Sequence, residues 1–274
     1  MIFDATKCTL GEGPLWHPLR KQLFWFDILG KRLHTRGQHW DFDTYVSAAG
    51  WVDHDTLVIA SAKGLHHFDI TTGEQSLLCD LEADNAGTRS NDGRADPQGG
   101  FWIGTMGLNA EPGAGSIYRY YKGELRKLYG DLQITNSICF APSGDTAYFT
   151  DTNTQVVMAV SLDTDGWPND DPQLHIDLRG TNFRPDGAVC DANGNLFSAQ
   201  WGVGRVAAYD PKGHFIEAFN MPAIQSSCPA FGGENLQTLY CTSAAVGRDG
   251  TDDGKTFSFQ TTYTGQAEHQ VILA

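Results

Sequence analysis

One short pattern recurs along the whole chain: a turn, then a strand of alternating aromatic or β-branched residues. Its copies are QLFWFD (22–27), TLVIAS (56–61), GFWIGT (100–105), TAYFTD (146–151), NLFSAQ (195–200) and TLYCTS (238–243). Anchored on Leu23, Leu57, Phe101, Ala147, Leu196 and Leu239, the copies stand 34, 44, 46, 49 and 43 residues apart. A second strand-like segment running into a glycine turn follows, as in GLHHFDITTGE, GSIYRYYKGEL, VVMAVSLDTDG and GRVAAYDPKGH. Four copies are preceded by a turn of Pro, Asp or Gly: ADPQGG, APSGD, DANGN and FGGENL.

A unit of roughly 45 residues, made of about four short strands, cannot bury both of its faces alone and must stack on neighbours. Six such units predict an all-β, six-bladed β-propeller with four antiparallel strands per blade, a single domain over residues 1–274. A β-sandwich also spaces short strands regularly, but it does not account for six copies of one motif at blade length. A propeller must close its ring. The N-terminal segment IFDATKCTL is expected to do so by joining the last blade beside the C-terminal strands.

Composition restricts the partners. Apolar residues are 41% of the chain, enough for a sizeable core, and 19 Lys and Arg face 33 Asp and Glu, a formal charge of −14. That balance excludes nucleic acid and anionic membrane surfaces, both of which require a basic face. The longest apolar run, Val156 to Val160, is far short of the ~20 residues of a membrane span. The N-terminus lacks a basic segment followed by an apolar one, so a soluble, cytoplasmic protein is expected, a monomer or weak homo-oligomer. Six cysteines (Cys8, Cys79, Cys139, Cys190, Cys228 and Cys241) are scattered without a CxxC and read as free, buried thiols.

The repeat also locates the functional end. Ten or eleven residues before each anchor lies the segment that should form the innermost strand, where blades converge on the channel. Those positions hold Glu12 in GEGPLWH, Asn91 in RSNDG, Asn136 in TNSICF, Asp186 in RPDGAVC and Cys228 in SSCPAF. Carboxylates and amides from different blades would thus meet in one ring. Hard oxygen donors without His at matching positions suit a divalent cation such as Ca²⁺, Mg²⁺, Mn²⁺, Zn²⁺ or Fe²⁺. The alternative is that these side chains cap strand ends and bind channel water.

Other motifs carry less. There is no HExxH, and alternation puts His66 and His67 on opposite faces of a strand. His17 alternates away from the face of Glu12 and is expected in the packing. No GxSxG elbow appears, which disfavours a serine hydrolase. The acidic run LDTDGWPNDD (162–171) lacks the twelfth-position Glu of a calcium loop and reads as a hairpin connection. GVGR (202–205) reads as a turn, since no helix follows it.

Taken in order, GEGPLWHP, RSNDGRADPQGGFWIGTM, TNSICFAPSGDTAYFTDT, RPDGAVCDANGNLFSAQWGVGRV and CPAFGGENLQTLYCTSA resemble the gluconolactonase/regucalcin (senescence marker protein) family. The resemblance runs over residues 8–245. It implies a six-bladed propeller holding one catalytic divalent metal and hydrolysing sugar lactones to aldonic acids. By the same resemblance Glu12, Asn136 and Asp186 match the metal ligands, and Arg89 and Asn91 the substrate-contacting positions. Many relatives read NGL where this chain has Asn136-Ser137-Ile138. LNAEPGAG (108–115) falls where relatives carry a variable loop, leaving a substrate contact by Glu111 open.

The chemistry agrees with those roles. Lactone hydrolysis needs a polarised carbonyl, an activated water and a stabilised oxyanion. Three protein oxygens leave open positions on a Lewis-acidic ion, Asp186 is placed to act as general base, and the donor fork of Arg89 suits a carbonyl or hydroxyls. The competing reading of Arg89 is an ion pair with Asp92 or Asp84. Two other functions use the same ring: a non-catalytic Ca²⁺- or ligand-binding propeller, and a metal-dependent hydrolase of aryl esters or phosphotriesters. Arg89 and Asn91, as hydroxyl readers, favour sugars over aromatic esters.

Overall fold

Residues 1–273 are described by the computed structural model, which contains six four-stranded antiparallel sheets. The innermost strands of blades 1 to 6 are Gly11–His17, Val46–Trp51, Thr88–Ala95, Thr135–Phe140, Arg184–Cys190 and Ser226–Gly232. Each touches the next around the ring and the sixth touches the first. The fold is therefore the six-bladed β-propeller that the repeat predicts.

The recurring motif is the second strand of each blade, and its composition follows from where it sits. In Phe101–Gly107, the side chains of Phe101 and Ile103 join the cluster between blades 2 and 3, while Trp102 joins the one between blades 3 and 4. All three are completely buried. Trp25 and its neighbours Phe24 and Phe26 divide in the same way on either side of blade 1. A strand flanked by a blade on each face thus reads as a continuous apolar run rather than a polar–apolar alternation. Each such Phe contributes about 1.5–3 kcal/mol by leaving water, so the six inter-blade layers are the core.

The turns before these strands match their sequences. In ADPQGG and DANGN, Asp96 and Asp191 each accept two backbone N–H groups of their own turn. Gly99, Gly144 and Gly194 occupy equivalent turns of blades 3, 4 and 5 at φ of 91°, 76° and 82°, a region costly for a side chain.

Ring closure occurs where expected, with a shorter strand. Only Ile2–Asp4 pairs with Thr256–Gln260, as the outermost strand of blade 6, and the Met1 amino group donates to Ser258 O at 2.7 Å. Beyond Asp4 the chain leaves the sheet, and Leu10 makes an isolated bridge to Ala244.

After Gln260 the chain crosses the end of the channel at which the inner strands finish. Gln266 Nε2 donates to Phe140 O and Cys190 O, at 3.0 and 3.3 Å, tying blades 4 and 5. Glu268 forms a buried ion pair with Arg94 of blade 3, and its carbonyl accepts from Trp51 Nε1 of blade 2 at 2.8 Å. This tail stoppers one mouth of the channel and leaves the other for a site. All six cysteines are free, five of them buried. No helix among the described residues is long and apolar enough to cross a membrane.

Candidate active site

In every blade the pairing between the first and second strands slips near the open mouth. The irregularities fall at Glu12/Leu15, Val46/Ala48, Ser90/Gly93, Asn136/Cys139, Pro185/Ala188 and Ser226/Pro229. A bulge inserts residues into one strand and re-aims their side chains. Here it turns the ring residues out of the inter-blade layers and toward the channel. Gly13 at φ 53° and Ser137 at φ 57° are the residues that bend the chain in blades 1 and 4. A Cβ on Gly13 would strike the Ser47 carbonyl oxygen, so blade 1 requires glycine there.

The bulges bring together what the spacing predicts. Glu12, Arg89, Asn91, Asn136 and Asp186 all line one cavity of about 360 Å³, within the size range of small-molecule sites. All five are buried in the protein yet face this space. A hydrogen-bond chain fixes three of them. Arg89 Nη1 donates to Asn91 Oδ1 at 2.7 Å, and Asn91 Nδ2 donates to Thr135 O at 2.8 Å and to Asn136 Oδ1 at 3.2 Å. Asn136 Nδ2 donates to Thr152 Oγ1 at 2.9 Å, and that hydroxyl donates onward to Pro185 O at 2.8 Å. With its nitrogen so held, each amide can turn only its oxygen toward the donors around it.

The floor buries more carboxyl groups than cationic ones. Desolvation pushes Glu12 up to about 8, reinforced by Asp92 and opposed by the Gly13 N–H and Arg89. Asp186 lies well above the usual carboxylate range, first from burial and then from Glu12 and Asp92. Burial raises Asp92 to about 6 and lowers Arg89 to about 10. Glu12 and Asp186 act on the Arg89 guanidinium, while Arg94, paired with Glu268, is the cation that acts on Asp92. Two carboxyl groups and an amide oxygen are donors that suit a hard divalent cation, and such an ion would favour the ionised carboxylates. Among the described residues no group of three or more His, Cys, Asp and Glu side chains is arranged for a metal. An ion here would rest on the mixed set Glu12, Asn136 and Asp186.

Several sequence expectations are resolved. Arg89 makes no ion pair with Asp92 or Asp84; its side-chain hydrogen bonds go to Ser90 O and Asn91. Asp92 instead accepts the Ile138 N–H at 2.7 Å, stitching blade 3 to blade 4. Cys228, at the ring spacing in blade 6, does not line the cavity; it packs under Gly187. Glu111 is exposed and accepts from Asn109 N and Nδ2, shaping its own loop rather than the cavity. His17 is fully buried against Asp53 O, and His66 bonds Ser61. The run 162–171 connects Val156–Ser161 to Gln173–Asp177, and 202–204 is a turn.

Three features were not read from the sequence. Ser47 is the ring residue of blade 2, ten before Leu57, and the same spacing rule would have located it; its hydroxyl donates to Ser90 Oγ at 2.8 Å. Thr152 enters the site from a short 3₁₀ turn, Thr152–Thr154, for which the repeat gives no signal. The cavity walls above the floor are apolar, formed by residues such as Met106, Leu108, Ile134 and Trp201.

This geometry, a six-bladed propeller with acid and amide groups converging on one mouth, has known counterparts. Residues 10–245 match the family model described as SMP-30/Gluconolactonase/LRE-like region, and the chain belongs to that family. A 6-deoxy-6-sulfogluconolactonase of Pseudomonas putida is 32% identical over 249 residues, covering 87% of this chain and 84% of its own. An L-arabinolactonase of Azospirillum brasilense is 33% identical, covering 97% and 93%. A crystal structure of a calcium-binding protein, regucalcin, from Agrobacterium tumefaciens strain C58 superposes with a TM-score of 0.96 at 39% identity, covering 99% and 97%.

Proposed function

We propose that this propeller hydrolyses a sugar lactone to the corresponding aldonic acid, in a site that also binds one divalent cation through Glu12, Asn136 and Asp186. The observation that carries the reading is the convergence of those three residues with Arg89 and Asn91 on the floor of a single cavity. Relatives named as lactonases over nearly the whole length support the reaction. The excess of buried carboxylate supports the cation, with Ca²⁺, Mg²⁺, Mn²⁺, Zn²⁺ and Fe²⁺ all compatible with oxygen donors. Such an ion supplies Lewis acidity toward the lactone carbonyl.

The chain's own groups do the rest. Arg89, held by Asn91, presents its remaining N–H donors to the carbonyl oxygen or the ring hydroxyls. Asp186 takes a proton from the attacking water as its oxygen bonds the carbonyl carbon. It returns that proton to the ring oxygen as the C–O bond breaks, leaving a hydroxy acid. The burial of the floor strengthens each of these interactions.

Acid release from a panel of aldonolactones, followed with a pH indicator, tests the proposal. The expected result is turnover that stops with EDTA and returns with a single divalent metal, while the far-ultraviolet β-sheet spectrum stays unchanged, since a six-layer core does not need an ion to fold. Lactone binding without acid release would make the propeller a binding module. Loss of the sheet signal in EDTA would make the ion structural.

A further inference from the structure

The cavity has two levels of opposite character. Every charged group lies on the floor, whereas the walls above are made of Leu29, Met106, Leu108, Ile134, Trp201 and Val246. Of the two polar groups in the walls, the Thr152 hydroxyl is committed to Asn136 and Pro185, which leaves the Trp201 indole N–H as the single donor there. Leu29, Leu108 and Val246 remain 40%, 41% and 39% exposed, a costly placement for large apolar side chains unless something covers them.

The walls are built rather than incidental. Asp27 accepts from Thr9 N, Leu10 N and Gly30 N, which fixes the turns that present Leu10 and Leu29. Asp151 does the same in blade 4, accepting from Gln133 N and Ile134 N. Leu108 N donates to Gly87 O at 2.9 Å, and Gln133 Nε2 holds Ala110, two residues further along the loop, by its carbonyl at 2.7 Å. A preformed apolar collar therefore stands directly above the reactive floor.

We infer that this collar is a subsite for an apolar substituent. The preferred substrates are lactones whose ring bears a methyl or longer alkyl group where aldonolactones carry a hydroxymethyl or hydroxylated tail. The inference rests on the lactonase reading and names its substrate class. A hydroxyl pressed against the aliphatic walls of Leu29, Met106, Leu108, Ile134 and Val246 would lose water and find no partner, whereas a methyl would gain by burial. Apolar pockets distinguish such pairs by roughly ten- to hundredfold in kcat/KM.

The test compares D-galactono-1,4-lactone with its 6-deoxy counterpart, D-fucono-1,4-lactone, and γ-butyrolactone with γ-nonalactone, by acid release. The member with the apolar group is expected to be favoured by about tenfold or more in kcat/KM within each pair. Leu108→Ser and Val246→Ser, at exposed positions that leave the β-sheet spectrum unchanged, should erase that preference within each pair. Equal rates within both pairs, or a preference for the hydroxylated member, would overturn the collar alone. Failure to open any of the four lactones would remove the lactonase reading and the collar with it.

Discussion

Glu268→Gln isolates the contribution of the C-terminal tail. Glu268 and Arg94 are an ion pair with side chains only 6% and 9% exposed, one from the tail and one from the innermost strand of blade 3. Neutralising the carboxylate leaves the guanidinium buried with the Asp92 charge as its remaining carboxylate neighbour. Removing one member of a buried pair costs about 3–5 kcal/mol, since the other is left without its counter-charge. At ~2.1 cal/mol/K per residue, a chain of 274 residues would melt about 5–9 °C lower. Replacing both residues by apolar ones, Arg94→Met with Glu268→Leu, should recover part of the loss, because it removes the orphaned guanidinium but also takes that cation away from buried Asp92. Thermal unfolding of Arg94→Met, Glu268→Leu and the double, followed by circular dichroism, gives the coupling. A single variant within about 1 kcal/mol of the parent would refute a tail held by this pair.

Two further outcomes concern the bulge of blade 4, where Ser137 adopts a left-handed φ of 57°. Ser137→Ala should lower stability by about 1–3 kcal/mol in denaturant melts, because it strips a buried hydrogen bond from Asp186 O while retaining the φ of 57°. Ser137→Gly loses the same bond but relieves a left-handed conformation costing ~1–2 kcal/mol, so it should lie between the alanine variant and the parent.

The fold was legible because a blade sandwiched between blades has no polar face. Phe24, Trp102 and Phe197, each one residue after its anchor, must all be apolar, and the period survives any variation in loops. The ring residues were legible for a related reason: the bulge sits at a fixed distance from the anchor, so counting back from Leu23 or Leu196 reaches Glu12 or Asp186. Two things were not. Hydrogen bonding between blades depends on side-chain direction, which is why Asp92 could be mistaken for the partner of Arg89. The apolar walls come from loops of different blades, yet a faint period exists there too. Leu29, Leu108, Trp201 and Val246 lie five to seven residues beyond their anchors. Each looks like ordinary loop apolarity until the ring brings them to one mouth. The tail had no signal at all, because its contacts with Arg94, Trp51 and Phe140 join residues that no local pattern connects.

The most direct test of the account is the turnover of Asp186→Asn at saturating metal, set beside Glu12→Gln under the same conditions. Both substitutions remove one negative charge from the floor and keep an oxygen donor of similar shape. Only Asp186 is assigned proton transfer. The account predicts that added metal restores Glu12→Gln substantially, while kcat of Asp186→Asn stays depressed by about a hundredfold or more. Near-parental turnover by both variants once metal is saturating would contradict it, and would leave Asp186 as a ligand with the base elsewhere in the channel.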